Sequence, residues 1–186
     1  MISIAVIDNY DSFTYNLVHY LEPLVDKMYV FRTNKIDWAV LKSVNYILLS
    51  PGPGLPDDSV DLMNVIDKFH KSHNILGVCL GHQALALYFG VQLSNMKQVK
   101  HGINSKINVL NHDCLFKNLP SNFPVGHYHS WEVDKVKSPL LPTAYNEEGI
   151  LMAFRHEKYK AFGIQFHPES ILTKYGKDIL KNWLSF

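Results

Sequence analysis

The stretch NILGVCLGHQAL, from Asn74 to Leu85, runs from an apolar strand through a cysteine set among small residues into a helix that opens with Gly, His and Gln. A strand passing so abruptly into a helix is the unit from which parallel sheets are built. The chain on either side repeats it. Ile2 to Ile7 is apolar apart from Ser3, as in a strand covered on both faces. Phe13 to Leu24 follows with Leu17, Tyr20, Leu21 and Leu24 at helical spacing and Asp11 or Ser12 as the expected cap. Met28 to Arg32 and Tyr46 to Ser50 read as strands, the latter stopped by PGPG. Asp58 to His73 reads as a helix with Leu62, Val65, Ile66 and Phe69 on one stripe. Ile75 to Cys79 is the fourth strand, feeding a helix from Gly81 to Phe89 that Gly90 ends.

The second half changes character. KINVL, VGHYHSWEV, GILMAFRH and AFGIQFH are strand-like pieces between turns, followed by a terminal helix carrying Ile179, Leu180, Trp183 and Leu184. The expected fold is therefore α/β. An open, mostly parallel central sheet is flanked by helices, and a partly antiparallel extension is added in the second half. The 186 residues are expected to form one domain.

Composition narrows the function. A net charge of +1 gives no electrostatic case for a nucleic-acid partner. The apolar runs are strand-length, so no membrane span is expected. The start MISIAVIDNYDSF has no basic n-region, so the expected location is the cytoplasm, where Cys79 and Cys114 stay reduced. No cluster has metal-ligand spacing, and NHDC (Asn111 to Cys114) reads as a surface loop.

Cys79 lies where open α/β sheets bind ligands, at the carboxyl end of a parallel strand. A strand-to-helix corner also exposes its side chain, as in the nucleophile elbow of esterases, here with Cys in place of Ser. Gly77 and Gly81 remove side chains where strand and helix would collide. The helix N-terminus places partial positive charge near the sulfur, which favours thiolate. A cysteine beside a tight turn is also a good small hydrophobe, so the corner alone does not decide the matter.

A cysteine nucleophile needs a base and a group to orient that base. His167 ends the run FGIQFHPES with Glu169 two residues on, across Pro168. Proline stiffens the stretch, and alternate residues face one way, so the carboxylate can hold the imidazole. SPGPG (Ser50 to Gly54) ends the third strand in a stiff loop. The backbone N–H groups of Gly52 and Leu80 are the expected donors to an oxyanion. Gln83, four residues after Cys79, faces the same way one helical turn along.

SPGPG, GVCLGHQAL and FHPES, in this order and spacing, resemble the class I (triad-type) glutamine amidotransferases, and the likeness runs from Ile2 to the C-terminus. DNYDSFTYNL (Asp8 to Leu17) further resembles the amidotransferase component of anthranilate synthase and of aminodeoxychorismate synthase. His101-Gly102 and Tyr128 to Trp131 fall where that family has matching segments. The resemblance implies a flavodoxin-like core and a single glutamine amidotransferase domain over residues 1–186. It implies hydrolysis of L-glutamine by Cys79, His167 and Glu169, with Gly52, Pro53, Gly54, Gln83 and the backbone of Ser130 and Trp131 binding the substrate. It implies a heteromeric partner, a large chorismate-binding synthase subunit that uses Mg²⁺, with no cofactor in this subunit. The product would be anthranilate or 4-amino-4-deoxychorismate, for tryptophan or folate synthesis.

Leu55 after PGPG and Trp131 after Ser130 depart from the family's usual smaller residues. Tyr10 and Phe13 cluster on the loop after the first strand and are expected to face the partner, though they would serve equally to pack the helix entry. Competing readings are an amidotransferase for another acceptor (GMP, CTP or carbamoyl phosphate synthesis), a silent binding module of the same fold, and a cysteine peptidase or γ-glutamyl hydrolase.

Overall fold

The opening apolar run forms β1 (Ser3–Asp8), whose last five residues are buried without a break. A strand has this burial when helices cover both faces of a parallel sheet. The computed structural model, which describes residues 1–112 and 114–186, contains such a sheet. β1 pairs in parallel with β2 (Lys27–Arg32) on one side and β3 (Tyr46–Leu49) on the other, and β4 (Asn74–Val78) extends the sheet beyond β3. The connecting helices are α1 (Thr14–Leu21), α2 (Trp38–Ser43), α3 (Val60–Phe69) and α4 (Leu80–Tyr88).

The helices divide between two cores. Leu17 and Leu21 of α1 pack on one face with the terminal helix α5 (Gly176–Leu184), which contributes Ile179, Leu180 and Trp183. Leu41, the four-residue stripe of α3, and Ala84 and Leu85 of α4 pack on the other. Trp183 is fully buried and its indole N–H donates to Asn74 Oδ1 at 2.7 Å, so α5 is tied to the start of β4.

The second half adds β5 (Leu93–Val109), β6 (Asn122–Val133), β7 (Leu140–Asn146), β8 (Leu151–His156) and β9 (Ala161–Ile164). Among the described residues, nine strands join one sheet in the order β2-β1-β3-β4-β9-β8-β7-β5-β6. β9 is the seam: it runs parallel to β4 and antiparallel to β8. The expected mixed α/β fold is what the chain adopts.

Several boundaries differ from the sequence reading, each for a local reason. The N-cap of α1 is Phe13, not Asp11 or Ser12; the Asp11 carboxylate instead accepts from the Phe13 N–H. The last residues of that segment tighten into a 3-10 turn, Glu22–Leu24, containing Pro23. α3 starts after Ser59, whose hydroxyl accepts from the Leu62 N–H, and Pro56–Asp58 form a separate turn. α2 has no periodic signal in the sequence, since only Leu41 of its six residues is buried; its local cue is Asp37, whose carboxylate accepts from the Ala39 and Val40 N–H groups. β7 is equally hidden. It contains Pro142, which demotes a run to edge or non-strand, and the ladder to β8 is irregular beside that residue.

Candidate active site

The carboxyl ends of β1, β3, β4 and β9 lie side by side, and each carries one motif. Cys79 follows β4 at φ 51° and ψ −101°, a backbone conformation that costs a non-glycine residue about 1–3 kcal/mol. Its amide N–H donates to the Ile164 carbonyl at 2.9 Å, so the last residue of β9 helps hold the corner. A Cβ on Gly77 would stand 2.3 Å from the Gly81 carbonyl oxygen, and one on Gly81 would stand 2.4 Å from that of Leu49. No side chain fits where the strand, the turn and the neighbouring strand converge. Gly81→Ala should therefore destabilise the protein by about 1–3 kcal/mol or more in urea unfolding. In an unobstructed helix the same change would stabilise it by about 1 kcal/mol; a neutral result would show that the corner has slack.

His167 stands just beyond β9, held by an N–H bond to the Gly126 carbonyl at 3.1 Å and by the Thr173 hydroxyl on its own carbonyl at 2.6 Å. Its Nδ1–H donates to Glu169 Oε1 at 2.6 Å, with both side chains buried. Glu169 Oε2 has no hydrogen-bond partner among the described residues, so the carboxylate is committed to this one ring. Nε2 likewise has no hydrogen-bond partner among the described residues and is the ring nitrogen left for Cys79, whose side chain interacts with the ring. Burial alone would discharge the imidazole. The Cys79 side chain and the Glu169 carboxylate outweigh burial and push its pKa up to about 10. Imidazole and carboxylate thus form a hydrogen-bonded pair with the Cys79 side chain beside it. Aromatic rings wall it in: Tyr128 lies 4.9 Å from the His167 ring and Phe13 meets it edge-on at 6.3 Å.

Gly52, Pro53, Gly54, Gln83, Ser130 and Trp131, singled out from the sequence, line one cavity of about 160 Å³ together with Cys79. The Leu80 side chain does not line it. It turns against Gly52 and into a neighbouring crevice of about 420 Å³ between Asn9, Thr33 and Val60. Another cavity, of about 370 Å³, lies at the opposite end of the strands around Asn45, His73 and Lys158. Size does not identify the reactive site here, because neither larger cavity reaches Cys79.

Gln83 is buried, and its two amide hydrogens are spent on the Trp131 carbonyl (2.9 Å) and on Gln165 Oε1 (3.1 Å). Only its carbonyl oxygen is left to meet a ligand, which its helical position alone did not reveal. Tyr10 is half exposed at φ 64° with the Arg32 guanidinium 5.4 Å above its ring, while Phe13 lies against Tyr128 at 5.5 Å. The two aromatics therefore differ: both are exposed, but Phe13 also packs against the Tyr128 and His167 rings. Both ring nitrogens of His112 bond locally, to the Phe116 carbonyl and the Ser121 hydroxyl; position 113 of the NHDC loop lies outside the described residues. Two buried histidines that the sequence left without a role are His129, which also lines this cavity, and His127 beside it. Their place in the strand-like piece VGHYHSWEV was the only signal for them.

The family model described as glutamine amidotransferase class-I matches residues 5–185. A protein named anthranilate synthase component 2 from Pyropia yezoensis is 44% identical over 98% of this chain and 99% of its own length. Its namesake in Thermus thermophilus is 40% identical over 97% and 91%. Among solved structures, a protein assigned as a GMP synthase subunit from Thermoplasma acidophilum superposes with a TM-score of 0.90 at 28% identity, covering 100% of this chain and 93% of that one. A glutamine amidotransferase from Thermotoga maritima shares the fold at a TM-score of 0.78 and 16% identity.

Proposed function

This chain belongs to the class I glutamine amidotransferase family, and we propose that it is the cytoplasmic, glutamine-hydrolysing subunit of a chorismate-using synthase. The observation that carries the reading is the hydrogen-bonded His167–Glu169 pair beside Cys79, which lines a cavity together with Gly52–Gly54. Cys79 attacks the side-chain amide carbon of glutamine. The resulting oxyanion is received by the N–H groups of Leu80 and Gly52, each such donor being worth about 10²–10³ in rate. His167 enters as imidazolium and protonates the departing nitrogen, so ammonia leaves and a glutamyl thioester remains. The now neutral ring takes a proton from water as its oxygen attacks the thioester, releasing glutamate and restoring the thiolate–imidazolium pair. Glu169 holds Nδ1–H throughout, so that Nε2 is the nitrogen that trades protons.

Ammonia set free in water at neutral pH becomes ammonium, which is not a nucleophile, so its use requires a docked acceptor enzyme. The full-length relatives at 40% and 44% identity carry an anthranilate synthase name, against 28% for the GMP synthase protein, and this favours a chorismate-binding partner. DNYDSFTYNL supports the same choice. Anthranilate is the first expectation and 4-amino-4-deoxychorismate the second, with Mg²⁺ belonging to the large subunit. Mixing this chain with each candidate large subunit, glutamine, chorismate and Mg²⁺ tests the proposal, because the aromatic amine formed names the partner. No glutamine-dependent amine with either chorismate enzyme, but activity with a GMP-forming one, would replace it.

Tyr10 is half exposed, lines the crevice neighbouring this site and is expected to touch the partner. Tyr10→Ala should weaken association at least fivefold, as loss of an interface aromatic does, with little change in melting temperature. Parallel losses of affinity and thermal stability would assign Tyr10 to folding instead.

A further inference from the structure

Along the cavity wall, β5 and β6 hold a row of polar groups that glutamine hydrolysis does not itself consume, from half-buried Ser105 to the buried His127 and His129. Ser105 Oγ lies 2.7 Å from His127 Nε2, His127 Nδ1 lies 3.2 Å from His129 Nε2, and His129 Nδ1 lies 2.9 Å from the Trp131 carbonyl oxygen. A carbonyl only accepts, so the proton of His129 sits on Nδ1. The neutral ring then offers Nε2 as acceptor, which places the proton of His127 on its own Nδ1. His127 Nε2 must in turn accept from the Ser105 hydroxyl. One fixed end thus determines every proton in the row, and all of them point toward Trp131.

The surroundings keep both rings neutral. Burial pushes His127 down to about 3 and His129 to about 4, although the Trp131 carbonyl favours the charged form of His129. The charged or titratable groups around them are Lys100 on β5, which pairs with Glu148, His82 on α4, and His167. The second lone pair of the Trp131 carbonyl takes the Gln83 amide at 2.9 Å. The Ser130–Trp131 wall is therefore pinned both from its own strand and from α4, the helix that begins at Cys79.

We propose that His129, oriented by His127 and Ser105, is a positioning residue that fixes the Trp131 carbonyl and thereby the Ser130–Trp131 backbone against which glutamine binds. This rests on the reading of the cavity as the glutamine site. With the amide carbon at Cys79, the amino-acid end of the substrate must meet the remaining walls, and this one is held by a side chain whose Nδ1 is spent on the Trp131 carbonyl.

The test uses two electrophiles on the purified chain, followed by mass analysis of Cys79. 6-Diazo-5-oxo-L-norleucine keeps the amino-acid end of glutamine; iodoacetamide lacks it. His129→Leu removes the donor, whereas His129→Asn returns an amide N–H at the Nδ1 position. His129→Leu should raise the half-saturating concentration of the norleucine probe about tenfold, the size of one lost hydrogen bond. Its maximal labelling rate and its rate with iodoacetamide should stay unchanged, and His129→Asn should restore binding. If His129→Leu fails to fold, His129→Gln, whose amide reaches one bond too far, replaces it in the same comparison. Unchanged half-saturation in the donor-less variant, or an Asn variant no better than it, overturns the positioning role while leaving the glutaminase reading intact. A wild-type chain that the norleucine probe does not label saturably at Cys79 overturns that reading and this inference with it.

Discussion

Cys79→Ala is expected to cut glutamine-dependent amine formation by the reconstituted complex about 10³-fold or more, while synthesis from added ammonia proceeds at the wild-type rate. Losing the nucleophile of a triad removes nearly all of the benefit of the groups that serve it, so no partial activity should survive through His167 and Glu169. The ammonia arm separates this from a damaged interface, because an unbound chain and a dead one would otherwise look alike. Cys79 also occupies a left-handed backbone conformation at φ 51°. Cys79→Gly, equally inactive, should then be more stable than Cys79→Ala by about 1 kcal/mol in urea unfolding. Substantial glutamine-dependent turnover by the alanine variant would remove the thiol from the mechanism.

Glu169→Gln should lower glutamine-dependent turnover by about 10²–10⁴, the range over which a general acid–base group contributes. The replacement is nearly isosteric, and the buried site contains no second acceptor for Nδ1–H among the described residues, so geometry should survive while charge is lost. The sign of the accompanying change is fixed. Burial pulls the imidazole pKa down, and the Cys79 side chain and the Glu169 carboxylate pull it up to about 10. Removing the carboxylate charge leaves burial less opposed, so the His167 titration followed by NMR must move to lower pH. A variant with unaltered His167 titration would mean that the carboxylate does not set the charge of the ring.

Much of this site is legible from short stretches because its parts are made by near neighbours. A strand ending in Cys79 between Gly77 and Gly81 specifies a corner that only small residues allow, and the clashes built at both glycines are backbone clashes. Pro168 between His167 and Glu169 sets the imidazole and carboxylate on one side, and they meet at 2.6 Å. Gln83 is placed on the correct face by helical spacing alone. Its spent amide hydrogens are not legible, since their acceptors, Trp131 and Gln165, come from distant segments.

The amino-acid order by itself determined the alternation of strands and helices, the strained corner, and the two-residue His–Glu pair, because each depends on sterics within a few residues. Only the tertiary structure decided that β9 lies beside β4, with Val78 opposite Ile164, which is what brings His167 to Cys79. The same holds for the row from Ser105 to Trp131, which exists because β5 and β6 pair and hold it. Strand neighbours separated by long stretches of chain are chosen by which faces can be buried together, and that choice belongs to the whole sheet, not to any one segment.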